Sequence, residues 1–363
     1  MKAINVFFIL FLGWCYPLPS QDPIVDIPDS NFKATLLSYV PQIDLNADHE
    51  IQKSEAEGIT NLQISNHKIS DLRGIENFIA LKFLNCSANN LTYLDLSKNL
   101  SLTTLLCSYN FLSDLDLSHN TALVELQCNS NHLNSLNVSL NKILNSLNCS
   151  KNHLSSLDLS QNLALKDLYC GFNLLGSMDI SQNIELMKFY CNSNRLTNLD
   201  LSFNPKLIWL GCFSNRLSTL DLSNTPNLQT LYCQENFITV LDLTNNLLLK
   251  DIDCSGNLLN NLDVQLQIDL IYFACNINPS LEIVCINNTQ RTILNNWYKD
   301  EKTAWESNCG YTDIDQESIL PKVSAKLINI LTLQGKEVPL NQAKRGIYLF
   351  QYSDGNVYKI FVF

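Results

Sequence analysis

Ten cysteines recur at a spacing of 21 residues along most of the chain, and thiols in such a series could bind metal ions, form disulfides or fill a core. If each repeat contributes one strand to a parallel sheet, the cysteines of neighbouring repeats lie ~4.8 Å apart. That spacing keeps their Cβ atoms beyond the ~3.8 Å that a disulfide prefers. A metal site needs ligands that converge on one point, which an evenly spaced column does not provide. We therefore expect free thiols that serve as small buried apolar groups. The ten are Cys86, Cys107, Cys128, Cys149, Cys170, Cys191, Cys212, Cys233, Cys254 and Cys275.

An acidic segment before the first repeat, residues 44–55, has oxygen-bearing groups at the spacing of an EF-hand-like calcium loop. Ca²⁺ prefers such hard oxygen ligands, here four side chains and the backbone carbonyl of Glu50. His49 stands where these loops carry glycine, in a turn that histidine enters at a cost. The segment predicts a calcium site, with an acidic turn between two helices as the alternative. The expected ligands are Asp44, Asn46, Asp48, Glu50 and Glu55.

Aromatic residues cluster midway along the repeats, in the position between the repeat's leucine and its cysteine and beside it. Residues two apart on a strand share one face. The cluster should therefore lie on one side of neighbouring rungs, a rung being the strand that one repeat contributes. Such a cluster is typical of a surface that contacts a protein or a glycan. Ordinary cross-strand packing between aromatic rings is the alternative. The predicted ligand-binding surface consists of Tyr169, Lys188, Tyr190, Trp209, Phe213 and Tyr232.

A column of aspartates also follows the repeat, each between two leucines and therefore facing solvent, with Asn137 on the one rung without an acid. Carboxylates ~5 Å apart repel each other by roughly 0.8 kcal/mol in water. Screening, bound cations or hydrogen bonds from hydroxyls such as those of Ser97 and Ser118 would offset this repulsion. We favour a structural role over a cation site. The column is Asp95, Asp116, Asp158, Asp179, Asp200, Asp221, Asp242 and Asp263.

Composition and motifs argue against catalysis and against nucleic-acid binding. The five histidines pair with no nucleophile or metal triad, and no phosphate-binding glycine loop is present. With 24 basic and 35 acidic residues the formal charge is -11, the opposite of what nucleic acid or an anionic membrane attracts. We therefore predict a non-catalytic recognition protein, one role of which is adhesion. The alternatives are a structural spacer of the cell envelope and an accessory binding module for a hydrolase or transporter.

The elements that position these groups come from one repeating unit, L-x-x-L-x-C-x-x-N-x-L-x-x-L-D-L-S-x-N-x-x, best seen from Leu102 to Leu123. The unit contains L-x-x-L-x-L-x-x-N twice and resembles the nested repeats of Bacteroidetes leucine-rich-repeat proteins from Leu62 to Cys285. The resemblance implies a parallel β-solenoid of short strands and turns, with leucines stacked inside. Asparagines at the bends would satisfy unpaired backbone groups. Ten rungs give a rod of roughly 45–50 Å.

The two ends differ from the repeats. Residues 1–20, with Lys2 and the apolar run Val6–Leu12, predict a cleaved signal peptide that is too short to span a bilayer, hence a secreted or outer-surface protein. Cys15 leaves a lipid anchor as an alternative. Residues 21–60 should form a helical N-terminal cap, with a helix from Asp29 to Tyr39 capped by Asp29 or Ser30, and are similar to the caps of the same proteins. Residues 61–285 are the repeats.

Residues 286–310 are the predicted C-terminal cap, in which residues 296–310 resemble the closing cap of those proteins. A disulfide between Cys285 and Cys309 would close this cap and contribute roughly 3 kcal/mol. Residues 311–322 are a predicted linker. Residues 323–363 predict three short strands and a small β domain. Their L-Q-G-K-E-V-P, I-Y-L-F-Q-Y and S-D-G elements resemble a type IX secretion sorting domain, which implies that the tail engages that machinery. We expect a monomer with an extracellular protein or glycan as its partner, no nucleic acid and no membrane span.

Overall fold

The computed structural model describes residues 22–292, 294–307 and 309, together with the strand residues 327–332, 346–352 and 357–362. The chain divides into two compact units, residues 1–307 and 308–363. The predicted signal peptide and the predicted linker lie outside the described residues. Within the described part, no helix combines the length and the apolar character that crossing a bilayer requires.

A short helical cap precedes the repeats. Helix α1, Ser30–Leu37, begins where the carboxylate of Asp29 accepts a hydrogen bond from the backbone N–H of Phe32 at 2.9 Å. Phe32 and Leu36 are fully buried, as the spacing of the apolar residues predicts. The helix ends two residues before the predicted Tyr39. Helix α2, Lys53–Glu57, follows the acidic loop, and at its start the carboxylate of Glu55 accepts a hydrogen bond from the backbone N–H of Gln52 at 2.9 Å.

The repeats form one parallel sheet in which each rung contributes a short strand. The register places leucine beside leucine from rung to rung, as with Leu84 and Leu105. The predicted parallel solenoid is confirmed, and its sheet has 12 strands because one precedes and one follows the ten cysteine rungs. The strands are β1 Asn61–Gln63, β2 Phe83–Asn85, β3 Thr104–Leu106, β4 Glu125–Gln127, β5 Ser146–Asn148, β6 Asp167–Tyr169, β7 Lys188–Tyr190, β8 Trp209–Gly211, β9 Thr230–Tyr232, β10 Asp251–Asp253, β12 Tyr272–Ala274 and β14 Trp297–Tyr298.

The alternating leucines of the L-D-L segments also predict strands, but over most of the repeats these residues form no strand, and a turn follows them, as at Ser97 and Lys98. The carboxylate of Asp95 accepts a hydrogen bond from the backbone N–H of Ser97 at 2.9 Å, and the other aspartates of the column repeat this bond. The bond lowers the pKa of Asp95 and stabilises the turn that follows it. Only the last such segment pairs: β11, Leu262–Asp263, joins β13, Ile283–Cys285, and β15, Ala304–Glu306, in a small parallel sheet.

The cysteine column is buried and unoxidised. All ten thiols are free, and each has no exposed surface. Burial raises the pKa of Cys86 and of Cys149 to about 12, so the reactive thiolate is scarce at neutral pH. The expected role as small apolar filler is confirmed. Cys285 and Cys309, outside this column, are both disulfide-bonded. Their pairing with each other stays a prediction.

Two columns of buried asparagine hold the rungs together. In the first, the side-chain amide of Asn173 donates to the carbonyl oxygens of Cys149 and Cys170, and its oxygen accepts from the backbone N–H of Leu154, all at 3.0–3.1 Å. The preceding residue, Phe172, has a φ of 54°, a left-handed turn that a bulky side chain enters at a cost. The asparagine therefore fixes a strained bend and joins adjacent rungs at once.

The C-terminal unit contains a separate antiparallel sheet of three strands in the order β16–β17–β18. They are β16 Leu327–Thr332, β17 Gly346–Tyr352 and β18 Val357–Val362. The predicted strands therefore form a small β sheet, with bounds within one residue of those predicted.

Candidate binding surface and calcium loop

Four of the predicted surface residues form one continuous chain of ring contacts on the open face of the sheet. Tyr169 and Tyr190 are stacked with ring centroids 4.9 Å apart and planes 15° apart. Tyr190 contacts Trp209 at 5.7 Å, and Trp209 meets the edge of Tyr232 at 6.3 Å. We call these four residues the aromatic cluster. All four are half-buried, so the cross-strand packing alternative describes how the rings are held.

The other two predicted surface residues lie beside this cluster. Lys188 is half-exposed and forms an ion pair with Asp167, at 3.7 Å between Nζ and Oδ1. Phe213 follows Cys212 rather than lying between Leu210 and Cys212, and it belongs to no ring pair that we find among the described residues. The structure therefore brings together four of the six residues in one contact chain and leaves Phe213 outside it.

A glycine that the sequence reading missed makes room for the cluster. Gly211 pairs in register with both Tyr190 and Tyr232, in the column where neighbouring rungs carry tyrosine. A Cβ at this position would lie 2.8 Å from Cδ1 of Tyr190, because the ring of Tyr190 leans over the glycine. The sequence did contain this information, because glycine replaces tyrosine at one position of the column formed by Tyr169, Tyr190 and Tyr232. A tyrosine at position 211 would displace its neighbour.

The hydroxyl groups of the cluster are protonated at neutral pH. Burial is the largest cause that raises the pKa of Tyr190, followed by the neighbouring Tyr169 and Tyr232. Burial and the carboxylates of Asp251 and Asp253 raise the pKa of Tyr232. The tyrosines therefore offer neutral hydroxyl groups that both donate and accept hydrogen bonds.

The charges on this face of the sheet are mostly negative. Glu125, Asp167, Asp251 and Asp253 are the carboxylates on strands β1–β10, β12 and β14, and Lys188 is the one ammonium group. Because Lys188 is already paired with Asp167, the carboxylates without an ion pair are Glu125 on β4 and the two on β10, next to Tyr232. Asp253 also accepts hydrogen bonds from the backbone N–H and the hydroxyl of Ser255. The face thus combines aromatic edges and hydroxyls with two carboxylates beside Tyr232.

The acidic loop before the repeats is closed by its own carboxylates. Asp44 accepts a hydrogen bond from the backbone N–H of His49 at 3.1 Å. The two oxygens of Glu55 accept from the backbone N–H groups of Leu45 and Gln52 at 2.7 and 2.9 Å. His49 has a φ of 65°, the left-handed turn expected of it in place of glycine.

The expected calcium ligands do not all converge. Asp48 accepts from the backbone N–H of Glu50, and the side chain of Glu50 pairs with Lys33 at 2.6 Å, which leaves only its carbonyl for a metal. Across the described residues, no three His, Cys, Asp or Glu side chains are arranged to hold a metal ion. Two oxygens of this segment nevertheless lack a partner: Oδ1 of Asp44 and Oε1 of Gln52 are buried and accept no hydrogen bond. An ionised carboxylate oxygen in that state favours a cation.

Comparison with known proteins bears on the fold. No protein-family model matches the chain. The structure of the functional domain of InlJ from Listeria monocytogenes, which includes a cysteine ladder, superposes with a TM-score of 0.60 at 29% identity, over 77% of this chain and 70% of that one. The chain is a leucine-rich-repeat solenoid. The internalin InlF of L. monocytogenes has the same fold, with a TM-score of 0.64 at 22% identity over 77% and 84% of the two chains.

The sequence relationship covers much less of the solenoid. A stretch of 72 residues, 20% of the chain, is 36% identical to internalin J of L. monocytogenes serotype 4b. This stretch spans 8% of the length of that curated relative. The comparisons therefore establish the leucine-rich-repeat architecture of the solenoid, and the InlJ domain also includes a cysteine ladder.

Proposed function

We propose that this chain binds an extracellular protein through the open face of its parallel sheet, at the aromatic cluster. The observation that carries the proposal is the chain of ring contacts from Tyr169 to Tyr232, which spans four rungs of the sheet with all four side chains half-exposed. Aromatic residues with a polar edge are the side chains that dominate the energetics of protein interfaces. Adhesion is the biological role that we favour for such binding.

The ring geometry favours a protein over a glycan as the partner. Tyr169 and Tyr190 stack on each other, so part of each ring face is already occupied and the edges and hydroxyls remain for contact. A sugar that stacks on an aromatic ring needs a free ring face. The carboxylates of Asp251 and Asp253 beside Tyr232 add a preference for basic side chains on the partner.

Site-specific photo-cross-linking tests this proposal. The photo-reactive residue p-benzoylphenylalanine would replace Tyr190 on the open face, or Phe203 as a matched control, because Phe203 is aromatic and 53% exposed on a turn of the repeat. Exposed to the extracellular fraction of its natural surroundings, the Tyr190 derivative should cross-link one protein that the Phe203 derivative does not. Equal labelling from both positions, or none, would support the spacer alternative. A product destroyed by glycosidases would indicate a glycan or an accessory role beside a hydrolase.

We also infer that the chain acts outside the cytoplasm, exported by a cleaved signal peptide and by type IX secretion machinery that engages the tail. Two observations support this inference: the N-terminal apolar run, and the disulfide-bonded state of Cys285 and Cys309, since disulfides persist in oxidising compartments. The intact mass of the protein recovered from culture medium should correspond to a chain that starts at Gln21 and lacks the tail. A full-length mass confined to the cytoplasm would refute export.

A second proposal concerns the acidic loop, which we propose binds one Ca²⁺. The donor set is all oxygen, and the buried, unpartnered Oδ1 of Asp44 supports the proposal because a cation would satisfy it. Asp44, Asn46, Asp48 and Glu55 would supply side-chain oxygens and Glu50 its carbonyl. Calcium would neutralise the clustered carboxylates and fix the cap on the first rung.

Calcium at about 1 mM should stabilise the chain by roughly 1.4 kcal/mol if the dissociation constant is near 10⁻⁴ M, as in weak extracellular sites. Isothermal titration and thermal unfolding of the full chain measure this. Asp44→Asn should abolish the effect, whereas Asp95→Asn, which removes one carboxylate from an exposed turn, should keep it. No heat and no stabilisation at millimolar calcium would contradict the proposal.

A further inference from the structure

A short line of basic side chains runs along one edge of the solenoid, at the bend that follows the strands. The residues directly after the first asparagine column include His132, His153, Arg195 and Arg216, with Leu174 on the rung between the histidines and the arginines. Lys151 lies just before that column. We call these five basic residues the basic column. The overall charge of -11 conceals it, since acidic residues elsewhere outnumber it.

The backbone holds the basic column in register. The N–H of Arg216 donates to the carbonyl of Leu196 at 2.8 Å, and the N–H of Arg195 donates to Leu175 at 2.9 Å, so equivalent residues stack rung upon rung. The ring centroids of His132 and His153 lie 5.7 Å apart with planes 25° apart. Five successive rungs at ~4.8 Å place the column along roughly 19 Å parallel to the solenoid axis.

The charged residues of the basic column form no ion pair within the described part of the chain. None of the five ion pairs found there includes Arg195, Arg216 or Lys151, and all three side chains are exposed. The carboxylate of Glu235 reaches the rung of Arg216, but it accepts a hydrogen bond from the hydroxyl of Ser214 and forms no ion pair with the arginine. Two guanidinium groups on adjacent rungs repel each other, and an anion between them removes that repulsion. The arginines are therefore available to an anion from another molecule.

The positions that follow the column are small and uncharged, whereas Phe172 and Leu174 are exposed apolar residues on its middle rung, and Nζ of Lys151 lies 5.6 Å from the ring centroid of Phe172. On each of the five rungs from Asn131 to Asn215, the third and fourth residues after the asparagine are exposed. These positions carry only serine, threonine, asparagine or glycine. Hydroxyl and amide groups both donate and accept hydrogen bonds, which suits the hydroxyls of a sugar. In an extended polypeptide, side chains on the same face recur every ~6.8 Å, whereas the rungs are ~4.8 Å apart. The side chains of such a ligand would therefore not match successive rungs, which disfavours an acidic polypeptide.

From this arrangement we propose that the basic column is a second binding site, independent of the aromatic cluster, for an acidic polysaccharide that lies along the edge of the solenoid. Arg195 and Arg216 form charge-assisted hydrogen bonds to carboxylate or sulfate groups. Lys151 and the two histidines extend the contact, and the neighbouring hydroxyls and amides bind the sugar rings.

The test measures binding of the full chain to immobilised heparin and to polygalacturonate at about 0.15 M salt. Heparin carries sulfate and carboxylate groups, whereas polygalacturonate carries carboxylates alone, so the two probes separate the sources of the anion. Arg195→Gln with Arg216→Gln should weaken binding of the preferred polymer about tenfold or more, the loss expected for two charge-assisted contacts. Lys98→Gln with Lys142→Gln removes the same charge from exposed positions elsewhere and should change affinity less than about twofold.

Three results would overturn the proposal: no binding of either polysaccharide by the native chain, equal losses in both double variants, or tighter binding of poly-L-glutamate than of either polysaccharide. The last result would assign the column to an acidic polypeptide. The variant with alanine at Trp209 and Tyr190 should bind the polysaccharide normally. That separates failure of this site from failure of the aromatic cluster.

Discussion

Replacing Trp209 and Tyr190 together by alanine should weaken binding of the protein partner at least about hundredfold, since buried aromatic anchors in interfaces each contribute about 2 kcal/mol or more. The two rings are adjacent, 5.7 Å apart, and lie at the centre of the aromatic cluster. Their removal takes away both the contact area and the support for Tyr169 and Tyr232. Affinity of the cross-linked partner, measured with purified proteins, reports the effect.

The same double variant should remain folded. The side chains of Trp209 and Tyr190 lie on the outer face of the sheet and not in the core of the solenoid. The leucines that stack inside the solenoid are unchanged in this variant. The lost ring contacts cost about 0.5–1.5 kcal/mol each, a fall of a few degrees in the melting temperature. Tyr93→Ala with Phe203→Ala is the matched control, because both residues are aromatic and exposed away from the sheet face. Unchanged affinity in the first variant would place the binding site elsewhere.

Asn173→Leu should lower the free energy of unfolding by about 3 kcal/mol, although leucine is nearly the size of asparagine and more hydrophobic. The substitution leaves the buried N–H of Leu154 without its acceptor and the carbonyls of Cys149 and Cys170 without that donor. It also removes the bonds that hold Phe172 in its left-handed turn. Urea denaturation of the purified chain measures the loss.

A graded comparison separates hydrogen bonding from side-chain volume. Asn183, in the second asparagine column, donates to the carbonyls of Leu159 and Asn162, but its oxygen accepts no hydrogen bond. Asn183→Leu should therefore cost less, about 2 kcal/mol. Asn198→Leu, at an exposed position, should change the free energy of unfolding by less than about 0.5 kcal/mol. An equal cost at all three positions would contradict the role assigned to the columns.

Much of the architecture follows from the repeat and from the family that it resembles. The constant spacing of cysteine and asparagine predicts units of equal length, the resemblance implies coils with stacked leucines and a buried interior, and the structure has all of these features. The L-D-L segments were harder to predict, since alternating leucines are compatible with a strand or with a turn. Each aspartate accepts a hydrogen bond from the backbone two residues on, including Asp263 in the one segment that pairs. A pattern of polar and apolar residues therefore does not tell which of these segments pairs as a strand.

The candidate sites show the same division. A column position tells which face a side chain occupies, so Tyr169, Tyr190 and Tyr232 could be grouped from sequence. It does not tell which way a ring leans, so the position of the Tyr190 ring over Gly211 could not be predicted. In the acidic loop, the ligand types were readable, whereas the orientation of each carboxylate depends on backbone N–H groups that the sequence does not place.

Hydroxyl-radical footprinting of the protein complex tests the central claim most directly, because it reports the solvent exposure of individual aromatic side chains. Partner binding should reduce oxidation of Tyr190, Trp209 and Tyr232, while Tyr93 and Phe203 stay as reactive as in the free chain. Protection of Tyr93 or Phe203, with Tyr190 and Trp209 unchanged, would show that the open face of the sheet is not where this solenoid binds its partner.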